Sequence, residues 1–71
     1  MIFQIRGEYI TLDALLKALG WAATGGQARL FVADGQVTVD GRVDTRKTRK
    51  LRGGEKVTFE GKTVTVEAQA D

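Results

Sequence analysis

The sequence predicts an α+β fold: two packed N-terminal helices followed by a small, mainly antiparallel sheet. Two changes of rhythm carry that expectation. Leu12, Leu15, Leu16 and Leu19 recur at i, i+3, i+4 and i+7, and Ala28, Phe31 and Val32 repeat the start of the pattern, so two short segments each present one apolar helical stripe. From Val37 onward the period becomes two. Val37 and Val39, then Val57 and Phe59, then Val64 and Val66 alternate with polar residues, and Asp40-Gly41 and Glu60-Gly61 supply two-residue hairpin turns.

Taken in order, Ile2 to Ile5 is a candidate short strand, broken by Gly7-Glu8, that would add to an edge of the sheet. Thr11 is placed to N-cap the first helix, and Asp13 in its first turn favours the helix dipole. Asp13 and Lys17 stand four apart, the spacing of a surface ion pair. Gly20 ends the helix, and only Trp21-Ala22-Ala23 precedes the next cap, so the two helices must turn sharply onto each other. Trp21 at that corner has two readings, a partly buried lid on a small core or an exposed platform for base stacking, and the small core favours the first.

The second helix opens with Thr24 and Gln27, three apart, the spacing of a capping box. Gly25 and Gly26 then occupy its first turn, although glycine costs about 1 kcal/mol relative to alanine inside a helix. Either the backbone is kept bare so that a phosphate reaches the N–H groups at the positive helix end, or the helix starts late, at Gln27, after a flexible corner. Gly35 is the left-handed stop. Beyond the Asp40-Gly41 turn, Arg42-Val43 returns briefly and gives way to DTRKTRK, which has no apolar periodicity and reads as a loop or exposed extended segment. Leu51 re-enters the core, Arg52 to Glu55 turns, and a two-residue turn at Glu60-Gly61 sets Val57 opposite Val64, with Phe59 and Val66 on the same face. Ala68 to Asp71 reads as a frayed tail.

Composition narrows function by exclusion. With 71 residues the chain is one domain with a thin core, burying about 60% of its unfolded surface. It has no cysteine and no histidine, which removes disulfides, thiolate or imidazole metal sites and His-based acid–base chemistry. The longest apolar run, Leu30 to Ala33, is far short of the roughly 20 residues of a membrane span, and MIFQIRGE lacks the pattern of a secretory signal, so a cytoplasmic protein is expected. Carboxylates fall in no acid–base or metal spacing, and Gly53-Gly54 lacks the following residues of a phosphate loop. No cofactor, no small-molecule substrate and no enzymatic activity are expected.

The positive signal is electrical. The net charge is only +2, yet Arg42 to Lys56 holds seven cations against Asp44 and Glu55, a local balance of +5. The remainder holds four cations against seven carboxylates, a balance of −3. Such lopsidedness points to an anionic partner. Arg46, Lys47 and Lys50 are the leading candidates to hold phosphates, with Arg49 and Arg52 in the same run. Lys17, Arg29 and the Gly25-Gly26-Gln27 helix start are expected to complete one surface with them.

The order Leu12-Asp13-x-x-Leu16, Gly20, Thr24-x-x-x-Ala28, Gly35-x-Val37-x-Val39-Asp40-Gly41 and Leu51-x-x-Gly54-Glu55-x-Val57 resembles the RNA-binding domain named after the fourth protein of the small ribosomal subunit, over about residues 9–58. The run GW-x-x-x-G-x-QA, then GQV-x-VDG and TRK, is most similar to the small bacterial YbcJ-like proteins of that class. The resemblance implies the alpha-L arrangement of two helices and a hairpin, a single RNA-binding domain without an attached catalytic domain, and binding of structured RNA such as ribosomal or transfer RNA, with ribosome association. Thr11 and Thr24-Gly25 stand where the broader family usually has arginine and Ser-Arg. Thr45-Arg46-Lys47, Lys50, Gln27 and Arg29 match the YbcJ-like pattern and would take over that work, and Lys17 matches it as well. Two rivals come from the charge alone: a protein-interaction adaptor whose basic face meets an acidic partner, and a DNA-binding protein.

Overall fold

A computed structural model describes residues 1–69. The chain runs β1 (Ile2–Gln4), β2 (Ile10–Thr11), α1 (Leu12–Ala18), α2 (Gly25–Ala33), β3 (Val37–Val39), β4 (Arg42–Val43), β5 (Lys50–Leu51), β6 (Lys56–Phe59) and β7 (Lys62–Glu67). Five strands form a mixed sheet in the order β1-β7-β6-β3-β4, and β2 pairs with β5 in a separate antiparallel ribbon. The α+β class therefore holds, but the helices are not strictly N-terminal, because β1 and β2 precede them. β1 does join an edge, and it runs parallel to β7, with Ile2 opposite Thr65.

The core assembles as the two periods require. Leu12, Leu15 and Leu16 of α1 and Ala28 and Val32 of α2 join Val37, Val39, Val57, Phe59, Val64 and Val66 in one buried cluster, closed by Ile5, Ala22 and Leu51. Burying each large aliphatic side chain is worth about 1.5–3 kcal/mol. Val57 stands opposite Val64 as expected. Both hairpins turn in two residues with positive φ, 53° and 82° at Asp40-Gly41 and 50° and 75° at Glu60-Gly61, the twist that suits a right-handed ribbon.

Both helices close with the same backbone device. Trp21 and Gly20 donate to Leu16 and Lys17, and Gln36 and Gly35 donate to Phe31 and Val32, the paired bonds of a Schellman stop. Trp21 is half-buried, 6.3 Å from Phe59, which lies 4.8 Å from Phe31. It caps the core at the interhelical corner, and the Lys62 ammonium sits 5.5 Å from its ring centroid.

One open alternative is resolved and two local expectations are corrected. The late start at Gln27 does not occur: the second helix begins at Gly25, so both glycines lie inside its first turn. Asp13 is buried and pairs with Arg29 rather than Lys17. Ala68 and Gln69 are engaged: the Gly7 amide donates to Gln69 Oε1 at 3.2 Å, and Ala68 packs against Gly53. The rest of the expected tail, residues 70–71, lies outside the described residues. Among the described residues no helix is long and apolar enough to cross a membrane.

Candidate nucleic-acid interface

The basic segment has no hydrophobic pattern of its own, so something else must fix it. The first amides of a helix lack intrahelical acceptors. In α1 those of Leu12 and Asp13 donate to the carbonyls of Arg49 and Lys47, both at 3.0 Å. Thr11 occupies the N-cap position but makes no side-chain capping bond, because the basic loop has taken that role. One step further, Ile10 pairs with Leu51 and Thr11 with Lys50. The loop is thus sewn to the start of α1 by its backbone, with Arg46, Lys47 and Lys50 exposed and Arg49 half-buried.

A buried carboxylate organises the other side of the loop. Asp44 Oδ1 accepts from the Arg46 amide at 2.9 Å and from Arg46 Nε at 3.1 Å. Its Oδ2 accepts from Arg46 Nη2 at 2.8 Å and Arg49 Nη1 at 2.7 Å. The Arg46 guanidinium, with help from Arg49, holds the Asp44 carboxyl well below the usual carboxylate range despite burial. In return Asp44 raises the pKa of Arg46. These arginines are fixed in orientation, and the trio carries a net +1. They border an open hollow of about 540 Å³ that Arg42 and Asp40 also line.

Asp13 is the second organiser. Its Oδ1 accepts from the Ala14 amide at 2.8 Å and its Oδ2 from Arg29 Nη1 at 3.3 Å. Burial pushes this carboxyl up, but hydrogen bonds from Thr11, Ala14 and Arg29 outweigh it, and the net shift is downward. Lys47 reaches Asp13 through its backbone, and Arg29 reaches it through its side chain. A Cβ placed on Gly25 would lie 3.5 Å from Arg29 Nη1, so the start of α2 adjoins the same point. Exposed Lys17 follows one helical turn beyond Asp13. The seven cations Lys17, Arg29, Arg46, Lys47, Arg49, Lys50 and Arg52, less Asp13 and Asp44, leave +5.

Gln27 is committed to the cap. Thr24 Oγ1 accepts from the Gln27 amide at 3.0 Å, and Gln27 Oε1 accepts from the Ala23 amide at 2.7 Å, one residue earlier than a standard capping box. With Thr24 also serving Ala28 through its carbonyl, the Gly25 and Gly26 amides point out of the helix start.

Sequence reasoning missed Tyr9 and the organising role of the two aspartates. The Lys50 ammonium lies 5.0 Å and the Arg52 guanidinium 5.7 Å from the centroid of the Tyr9 ring, which remains 40% exposed. For Asp44 a signal was present: it is the acid that opens the basic run, two residues before Arg46, where an Asx-type bond to the backbone is expected. For Tyr9 there was none, since its neighbours come from β5.

Two short helices leading into a hairpin, with a cationic loop pinned across the first helix start, define a class, and the chain belongs to the S4 domain family, whose pattern matches residues 3–67. That match is wider than the motif-bearing stretch 9–58 and takes in β1 and the last hairpin. Within the family the chain is YbcJ-like. It is 47% identical over 60 residues to YbcJ of Escherichia coli (strain K12), a protein named as a candidate RNA-binding protein, covering 84% of this chain and 86% of that one. The solution structure of E. coli YbcJ, described as having an alpha-L motif involved in RNA binding, superposes with a TM-score of 0.71 at 43% identity, over 94% of this chain and 86% of that one. RlbA of Bacillus subtilis (strain 168), named as a candidate ribosome maturation protein, is 39% identical over 58 residues, 82% of each chain.

Proposed function

We propose that this protein is a non-catalytic, cytoplasmic RNA-binding module that holds structured RNA, ribosomal or transfer RNA in kind, on the cationic face built around the start of α1. Arg46, Lys47 and Lys50 contact phosphates from the loop, with Arg49 and Arg52 beside them. Lys17 and Arg29 extend the face, and the bare Gly25-Gly26 backbone beside Gln27 offers amides to a further phosphate. One observation carries the reading: Asp13 is held from two sides, its amide donating to the Lys47 carbonyl and its carboxylate accepting from Arg29, eighteen residues away from Lys47 in the sequence. That shared anchor supports reading the cations of the loop and of α2 as parts of one surface. The family membership supports RNA as the anion, and the name of the B. subtilis relative supports ribosome maturation as the setting.

Phosphate binding releases counterions, so affinity must fall with salt. About four contacts give a log–log slope near −3 on a single strand. Fluorescence anisotropy with a labelled ribosomal RNA fragment across a salt series tests this. A slope near zero, or unchanged affinity after Arg46→Ala, Lys47→Ala and Lys50→Ala together, removes the proposal. Association with a protein partner that survives nuclease treatment would instead favour the adaptor, and preference for duplex DNA over RNA would favour the DNA reading.

A further inference from the structure

We infer that an unpaired nucleotide docks in a second hollow, between β1 and β2, with its base stacked on Tyr9 and its phosphates held by Arg6, Lys50 and Arg52. The inference rests on the RNA-binding reading and names the feature of the RNA that the site selects. The hollow is lined by Ile2, Phe3, Gln4, Arg6, Tyr9 and Ile10 and encloses about 470 Å³, open to solvent. That volume lies within the range of about 300–1,000 Å³ usual for small-ligand sites. It is separate from the hollow beside Asp44, with which it shares no lining residue.

Three observations select a nucleotide as the occupant. Ile2, 62% exposed, and Tyr9, 40% exposed, present apolar and aromatic surface that a charged peptide would not cover. Lys50 and Arg52 lie over the Tyr9 ring from β5 and its exit, and Tyr9 itself lines the hollow, so cations stand beside the aromatic wall. Among the described residues Arg6, Lys50 and Arg52 form no ion pair, in contrast to Arg29, Arg46 and Arg49. An apolar-aromatic floor with free cations at its margin matches a base with its flanking phosphates. A base inside a duplex offers no free face, so the occupant is a bulged, looped or terminal nucleotide.

The test is an NMR titration of the labelled full chain with short oligouridine, which does not pair with itself, and in parallel with a blunt RNA duplex. Oligouridine should shift the amides of Ile2, Phe3, Tyr9 and Ile10. Tyr9→Leu should weaken oligouridine about tenfold and the duplex distinctly less, since on the duplex only the support Tyr9 gives Lys50 and Arg52 is lost, and Tyr9→Phe should bind like wild type, since stacking needs the ring and not the hydroxyl. Equal loss on both RNAs, no loss on either, or an oligoglutamate peptide shifting the same amides at equal affinity overturns the inference. Duplex binding that depends on Arg46, Lys47 and Lys50 while Tyr9→Leu is silent leaves the proposed function standing and this site refuted. Oligouridine in the hollow with no duplex binding does the reverse.

Discussion

Asp44→Asn tests whether the basic face is pre-organised or merely cationic. The carboxylate is 6% exposed and accepts three guanidinium bonds. Arg46 is 70% exposed at its side chain, so its pair is close to a surface salt bridge, worth about 0–1 kcal/mol. Arg49 is 26% exposed, and a hydrogen bond between charged groups in that setting contributes about 1.5 kcal/mol. Asparagine keeps an oxygen for the Arg46 amide but loses the charge, so the cost should be about 2 kcal/mol. For a domain of this size that is a fall in Tm of roughly 8–16 °C. The pH dependence has a definite sign. Arg46 holds the folded-state pKa below the ordinary 3.8, so the contribution is complete above that value and is lost as pH falls through it towards the folded pKa. Urea midpoints for both proteins should differ constantly from pH 5 to 8, and the gap should shrink by about 1 kcal/mol by pH 3. Asp13 titrates in both proteins and cancels. A gap below about 0.3 kcal/mol at pH 7, or one unchanged at pH 3, would refute the organising role of Asp44.

Gly26→Ala should stabilise the fold by about 0.5–1 kcal/mol in thermal melts, because a Cβ there meets only Thr24 Oγ1 at 3.9 Å. If a phosphate reaches the bare backbone, the same variant should bind RNA severalfold more weakly; unchanged affinity would retire the anion-cradle role of the glycine pair. Gly53→Ala should cost about 1–3 kcal/mol in urea unfolding, since φ is +131° and the new Cβ would lie 2.8 Å from the Ala68 amide nitrogen. Leu51→Ala should cost about 2–5 kcal/mol and, by loosening β5, speed hydrogen exchange of the Leu12 and Asp13 amides that the loop accepts. Exchange that stays slow would show that the loop holds α1 without its buried anchor.

The leucine stripe of α1, the capped start of α2, both two-residue turns and the Val57–Val64 register were all legible, as each is a relation between residues a few positions apart or across one tight turn. The family motifs were legible for the same reason. Thr11 was recognised as the N-cap position, but not the loop carbonyls that satisfy the helix amides, because Leu12 and Arg49 are far apart in sequence. The Asp13–Lys17 pair failed on the same ground: local spacing permits it, whereas burial against α2 turns the carboxylate to Arg29.

Local chemistry thus determined which segments become helices and hairpins, where the core residues fall and that a cationic run exists. Only the tertiary structure decided how the basic loop is fixed to the start of α1, which cations are bound by Asp13 and Asp44, and that Tyr9 stands beside Lys50 and Arg52. The reason is that backbone periodicity and turn preference act over a few residues. The direction of a charged side chain is set by desolvation and by partners that folding alone brings within hydrogen-bond reach.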